Sequence, residues 1–221
     1  MKKFKTIYIK SISPDKSTTD LIPLRVFKAI LPILLPSLTH IVNLSLSSGI
    51  MPDSCKIAIV TPIHKSEDPN DPNNYRPISI LPILSKCIEY CVNEQLTTYF
   101  EDNNLLTESQ YGFRKNHSTT YLTLDLFDKL FDSKSKSNTP AIIFLDIKKA
   151  FDCVDHEILL KKLKFYGVDV TVILWLKSYL TNRQQCTELH GCESIYILIL
   201  CGVQQGSLLG QFKKNINSRK K

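Results

Sequence analysis

Apolar residues three and four apart predict a helical run over 21–48, which Pro32 and Pro36 break or kink and which SSGIMPDS ends in a turn. Its stretch 29–52 carries no formal charge, but the two prolines, His40, Asn43 and several serines interrupt it. It reads as a buried helix pair and not as a membrane span. The segment 56–65, KIAIVTPIHK, alternates β-branched and polar positions and predicts a strand, followed by the hairpin-like loop SEDPNDPNN. Beyond Pro77 and Pro82 a helix is expected from the stripe Ile88, Val92, Leu96 and Tyr99, ending at Asn103 and Asn104. Ser118 is placed to cap another through Phe131, with Leu122, Leu126 and Leu130 on the inner face. The continuous apolar run 141–145, bounded in front by SKSKSNT and Pro140, predicts a buried strand. Asp155 is a helix cap for a stripe of Leu159, Leu163 and Tyr166 that stops at Gly167, and 170–180 is a further helix. Strands are expected at 184–190 and 194–200, joined by a turn at Gly191.

Length and composition change this picture only modestly. With 221 residues and 43% apolar content the chain can bury a sizeable core. A net charge of +7 favours a polyanionic partner, since Lys and Arg on phosphates release counterions. The seven cysteines form no C-x-x-C pair and no zinc-type spacing with histidine, and their odd number suits a reducing compartment. The lysine-led start, MKKFKTIYIKSISPD, lacks the unbroken apolar region of a signal peptide. An intracellular protein, cytoplasmic or nuclear, with no membrane partner is the expectation.

The sharpest chemical feature is Asp146, a carboxylate at the end of the apolar run in AIIFLDIKKAFDCVDHEILLKKL. A charge there is tolerable if it reaches solvent, pairs with a cation or binds a metal. This segment resembles the first catalytic motif, F-L-D-x-x-K-A-F-D-x-V-x-H, of reverse transcriptases from non-LTR, LINE-type retrotransposons. NNYRPISILPILSKCIEYCVNEQL, QYGFRKNHSTT and CGVQQGSLLG stand around it in the order that family uses. The likeness runs from about Ser11, through LPSLTHIVNLSLSSGIMPDS, to about Gly210.

The resemblance implies an α/β fold of the α+β kind: the helical fingers and partial palm of a reverse-transcriptase-like polymerase. It divides the chain into an N-terminal extension (1–20), a partial polymerase domain (21–210) and a basic tail (211–221). In the family two Mg2+ ions support nucleotidyl transfer from dNTPs to a DNA primer on an RNA template. By resemblance Asp146 is the first metal ligand and catalytic carboxylate, and Ile147 offers its backbone carbonyl. Phe151 takes the place of the aromatic gate against the nucleotide sugar. Gln205 and Gly206 lie in the loop under the nucleotide and template base. Lys65, Arg76 and Arg114 occupy positions of basic fingers that meet triphosphate and template phosphates, and Tyr75 and Tyr111 add stacking faces.

Two departures qualify this. No adjacent pair of aspartates occurs in the chain, and no acidic residue follows Glu193, so the family's aromatic-Ala-Asp-Asp turn is missing. Asp152 and Asp155 lie beyond the strand and do not replace it. Gln204 stands where the family usually has proline, which implies a freer loop. The expectation is therefore a polymerase fragment, truncated before its second aspartate motif and inactive alone. The alternative is a non-catalytic RNA- or DNA-binding remnant or a decayed reading frame.

Overall fold

A computed structural model of the chain describes residues 19, 22–65, 68–112, 114, 116–147 and 149–210. The N-terminal extension, except Thr19, and the basic tail 211–221 lie outside the described residues. Five α-helices are described: α1 (Leu24–Ser48), α2 (Ile83–Asp102), α3 (Thr119–Ser135), α4 (His156–Phe165) and α5 (Val170–Leu180). The strands are β1 (Ile57–His64), β2 (Tyr75–Ile80), β3 (Arg183–Leu189), β4 (Cys192–Glu193) and β5 (Ile197–Ile199). They form one mixed sheet in the order β2-β1-β3-β4, with β5 also on β3. β1 runs antiparallel to β2 and parallel to β3. Helices with a mixed sheet agree with the expected fold class.

Local chemistry explains the ends of these elements. Asp155 caps α4 by accepting from the Ile158 amide at 2.8 Å, and Ser118 caps α3 by accepting from Tyr121 at 3.3 Å. Asp169 caps α5 through the Thr171 amide at 2.8 Å; that contact lowers its carboxyl pKa. The Tyr75–Ile80 strand adds to the expected elements, in a stretch where Pro77 cannot donate to a ladder. Here Pro77 faces Pro62, and β2 lies at the end of the strand order, where a missing amide is tolerated.

The main core joins α2, α4 and α5 around Trp175, Phe100, Leu159 and Leu163, and a second cluster packs α1 onto the start of α2. Trp175 Nε1 donates to Ser45 Oγ at 2.9 Å, and the Met51 amide donates to Ser178 Oγ at 3.0 Å, tying α1 and its following loop to α5.

Three expectations need correction. First, 21–48 is not a broken helix pair: α1 runs unbroken through Pro32 and Pro36. Both prolines are exposed and lie four apart, so the carbonyls they leave without amide partners can be hydrated, while Leu31, Leu38 and Val42 pack inward. By length and composition α1 could cross a membrane, although six of its residues, Ser45 among them, are buried in the fold. Second, α3 has no buried residue; Leu122 is exposed, and Leu126 and Leu130 are only half covered. Third, 141–147 is irregular and exposed, not a buried strand. A strand needs neighbouring amides and carbonyls, and among the described residues none bonds to this segment.

Cysteine burial gives a direct check on this packing. Cys153, Cys192 and Cys201 are exposed, whereas Cys55, Cys87 and Cys186 are buried. Burial, reinforced by the Glu94 charge, pushes the Cys91 thiol up to about 11. In mildly alkaline buffer iodoacetamide is expected to label the three exposed thiols first and Cys91 about a hundredfold more slowly. Equal labelling of all seven cysteines in peptide maps would contradict the packing.

Candidate nucleic-acid interface

The β1–β2 hairpin gathers the first basic residues. Its register pairs Ile63 with Arg76 and His64 with Tyr75, and the Lys65 amide donates to the Asn74 carbonyl at 2.8 Å. Directly paired residues share a face, so Lys65 and Arg76 fall on the same side of the hairpin, both exposed. The Tyr75 ring leans on His64 with centroids 5.2 Å apart, and its hydroxyl donates to the Pro69 carbonyl at 2.8 Å. The hairpin end thus carries two cations beside an aromatic pair.

Three residues along β2, roughly 10 Å from Arg76 at strand rise, the loop of 201–207 docks on the sheet edge. The Ser79 amide donates to the Gln205 carbonyl at 2.7 Å. Gly206 has φ +112°, and a Cβ there would meet the Ser79 carbonyl oxygen at 2.7 Å, so a side chain would force the loop off β2. On the other side, the Gly202 and Val203 amides donate to the carbonyls of Val154 and Phe151, each at 2.8 Å. His156 Nε2 lies 2.7 Å from the Gly202 carbonyl, a contact made when that nitrogen carries its proton. Gly202 itself has φ +82°, and a Cβ would come within 2.9 Å of Asp152 backbone.

These contacts tie the Phe151 backbone to the loop that ends in Gln205 and Gly206, and dock that turn on β2, the strand that carries Arg76. Phe151 is half-buried against the core, and its ring approaches the space beside Gly210. Gln204 is not freer for lacking a proline ring: it is buried, and its Oε1 accepts from Arg183 Nη2 at 2.7 Å. Sequence reasoning gave no role to Ser79, His156, Glu89, Tyr179, Arg183 or Ser207, all of which hold this loop. The legible signal was Glu89 itself, at helical spacing from Ser85, Val92 and Leu96 on an otherwise covered face.

Arg114 is placed differently. Its Nε and Nη2 bond the two oxygens of Glu101 at 3.1 and 3.0 Å, and Nη1 donates to the Thr107 carbonyl at 2.9 Å. A fork committed to a carboxylate and a carbonyl is a structural clamp closing the loop after α2. Arg114→Ala is expected to lower unfolding stability by about 1–3 kcal/mol, as loss of a hydrogen-bonded charge does. The variant should leave the salt dependence of nucleic-acid binding unchanged. A reduced salt slope without loss of stability would return Arg114 to the phosphate-binding set. Tyr111 leans on His117 with ring centroids 5.8 Å apart.

The expected metal ligands are not assembled. Asp146 is exposed in the irregular segment, Ile147 is exposed beside it, and among the described residues no three His, Cys, Asp or Glu side chains form an ion-holding group. A lone surface carboxylate does not fit a two-ion Mg2+ centre, which needs oxygen ligands converging from separate elements.

A family model described as reverse transcriptase (RNA-dependent DNA polymerase) matches residues 63–215, which takes in the end of β1, β2, α2 to α5 and the loop just described. The chain belongs to the reverse transcriptase family. Among relatives, it is 35% identical over 183 residues to the probable RNA-directed DNA polymerase from transposon BS of Drosophila melanogaster, covering 78% of this chain and 19% of that protein. It is 32% identical over 192 residues to the RNA-directed DNA polymerase from mobile element jockey of the same species, covering 86% and 21%. A more distant relative, at 27% identity over 177 residues, is the retrovirus-related Pol polyprotein from type-1 retrotransposable element R2 of Popillia japonica, covering 80% and 24%. These transposon polymerases agree with the LINE-type resemblance. The chain spans about a fifth of the length of the first two relatives named.

Proposed function

We propose that this chain is the template- and nucleotide-facing portion of an RNA-directed DNA polymerase, able to hold nucleic acid but not, by itself, to join nucleotides. The observation that carries this reading is the pair of exposed cations on one side of the β1–β2 hairpin with the Gln205–Gly206 turn docked on β2, and, among the described residues, no carboxylate cluster near Asp146. Cations at the hairpin suit phosphate oxygens, and the turn exposes backbone for close approach to a base or sugar. In the longer parent enzyme the partners are an RNA template, a DNA primer and a dNTP, with Mg2+ as the cofactor.

A salt titration of binding to a fluorescent RNA template–DNA primer tests the reading. Affinity is expected to fall steeply as salt rises. Joint replacement of Lys65 and Arg76 by alanine should flatten the log–log slope by about 1–2, since each phosphate contact contributes about 0.7–0.9. An unchanged slope in the folded double variant, or no binding at low salt, overturns the proposal.

A further inference from the structure

Glu89 is fully buried on α2, and among the described residues no cation forms an ion pair with it. Its charge is held by hydrogen-bond donors. Tyr179 Oη donates to Oε1 at 2.8 Å, while Ser207 Oγ and the Leu208 amide donate to Oε2 at 2.9 and 3.0 Å; Ser85 Oγ stands farther off at 3.5 Å. Burial, and after it the Glu89 charge, pushes the Tyr179 phenol well above its ordinary value, so it stays a donor. Two of these donors belong to the segment that follows the Gln205–Gly206 turn.

A buried cation acts on the other side of the turn. Arg183, at the start of β3, sits 4.6 Å from the centre of the Tyr179 ring and donates to the Tyr179 carbonyl at 3.1 Å and to Gln204 Oε1 at 2.7 Å. Gln204 and Ser207 are buried, whereas Gly206 between them is exposed and Gln205 half-exposed. The turn is therefore clamped on both flanks, and only its middle is offered to a ligand. At position 204 the chain carries an amide that the Arg183 guanidinium grips.

We propose that Glu89 and Arg183 are positioning residues. A buried anion and a buried cation on separate elements, linked through Tyr179, fix Ser207 and Gln204 so that the Gln205–Gly206 backbone faces the end of a bound template–primer. This rests on the nucleic-acid reading above and deepens it. Such a role separates from phosphate binding, because removing it disturbs contact at the turn without changing how many phosphates Lys65 and Arg76 neutralise.

Hydrogen exchange and template–primer binding on the full chain test the proposal together, using Glu89→Gln and Gln204→Ala. The first keeps side-chain shape but presents an amide to the Ser207 and Leu208 donors; the second releases Arg183 and leaves Glu89 in place. In both, amides of 204–208 are expected to exchange about tenfold faster while those of α4 are unchanged. Affinity for the template–primer should fall about tenfold with the salt slope unaltered. Unchanged exchange at 204–208, acceleration spread equally through the core, or undiminished affinity overturns the positioning role. If Glu89→Gln fails to fold, Gln204→Ala decides by the same readings. Should the unaltered chain bind no nucleic acid, the proposed function fails, while the exchange result still decides whether the two residues hold the turn.

Discussion

Replacing Ile143, Phe144 and Leu145 together by serine is expected to turn a self-associating chain into a monomer. The three side chains are 81%, 83% and 89% exposed, and they follow one another in a segment whose composition favours a strand. Contiguous apolar side chains in solvent, next to unbonded amides and carbonyls, form a template for pairing with another chain. Covering them is favourable by about 1.5–3 kcal/mol for each fully buried side chain, enough together to drive association at micromolar concentration. Light scattering should give a mass that rises with concentration for the unaltered chain, and a value near 25.2 kDa for the triple variant. A monomeric, cooperatively unfolding parent chain would mean that another element covers 141–147.

Trp175→Ala is expected to cost about 3–5 kcal/mol, the usual range for truncating a large buried aromatic. Trp175 is 1% exposed, stacks on Tyr179 with ring centroids 5.4 Å apart and donates its indole proton to Ser45. The change leaves a cavity where α1 meets α5 and takes a donor from Ser45 Oγ, which itself donates to the Ile50 carbonyl at 2.6 Å. Against a total stability of about 5–15 kcal/mol for a domain, the loss is large. A urea midpoint shifted by less than about 1 kcal/mol equivalent would show that Trp175 does not tie these helices together. Trp175→Phe, which keeps much of the ring volume, should lose less.

The elements that were legible in the sequence are those set by local chemistry. Asp155 and Ser118 cap helices where their side chains can reach the third amide onward, and α5 occupies 170–180 as its apolar content indicates. The run 141–145 shows the limit of pattern reading. Its residues state a preference for burial in a strand, but no periodicity can say whether a neighbouring strand is there to accept its hydrogen bonds. Helix α3 fails in the same way, since its Leu122, Leu126 and Leu130 describe a face without naming what covers it. Pro32 and Pro36 misled for another reason: the cost of a proline depends on whether solvent reaches the carbonyl it strands.

At the candidate site the exposed residues are easier to find in the sequence than the buried ones behind them. Lys65, Arg76, Gln205 and Gly206 lie in recognisable motifs, and the hairpin register and the Ser79 contact place the two cations on one hairpin and the turn against its β2 strand. Arg114 bears the same kind of side chain as Arg76, yet Glu101 engages it, a pairing that follows from the path of the chain after α2 and not from either motif. Gln204, in place of the stiffening that the resemblance implies at this position, is constrained by Arg183, distant from it in motif but adjacent in space.

Primer extension on an RNA template with Mg2+ and dNTPs, resolved on a gel that also reports bound and free duplex, tests most directly the claim that this chain holds nucleic acid without copying it. The account predicts a retained template–primer and an unextended primer, identical for the unaltered chain and Asp146→Ala. Primer extended by the unaltered chain and not by Asp146→Ala would contradict it.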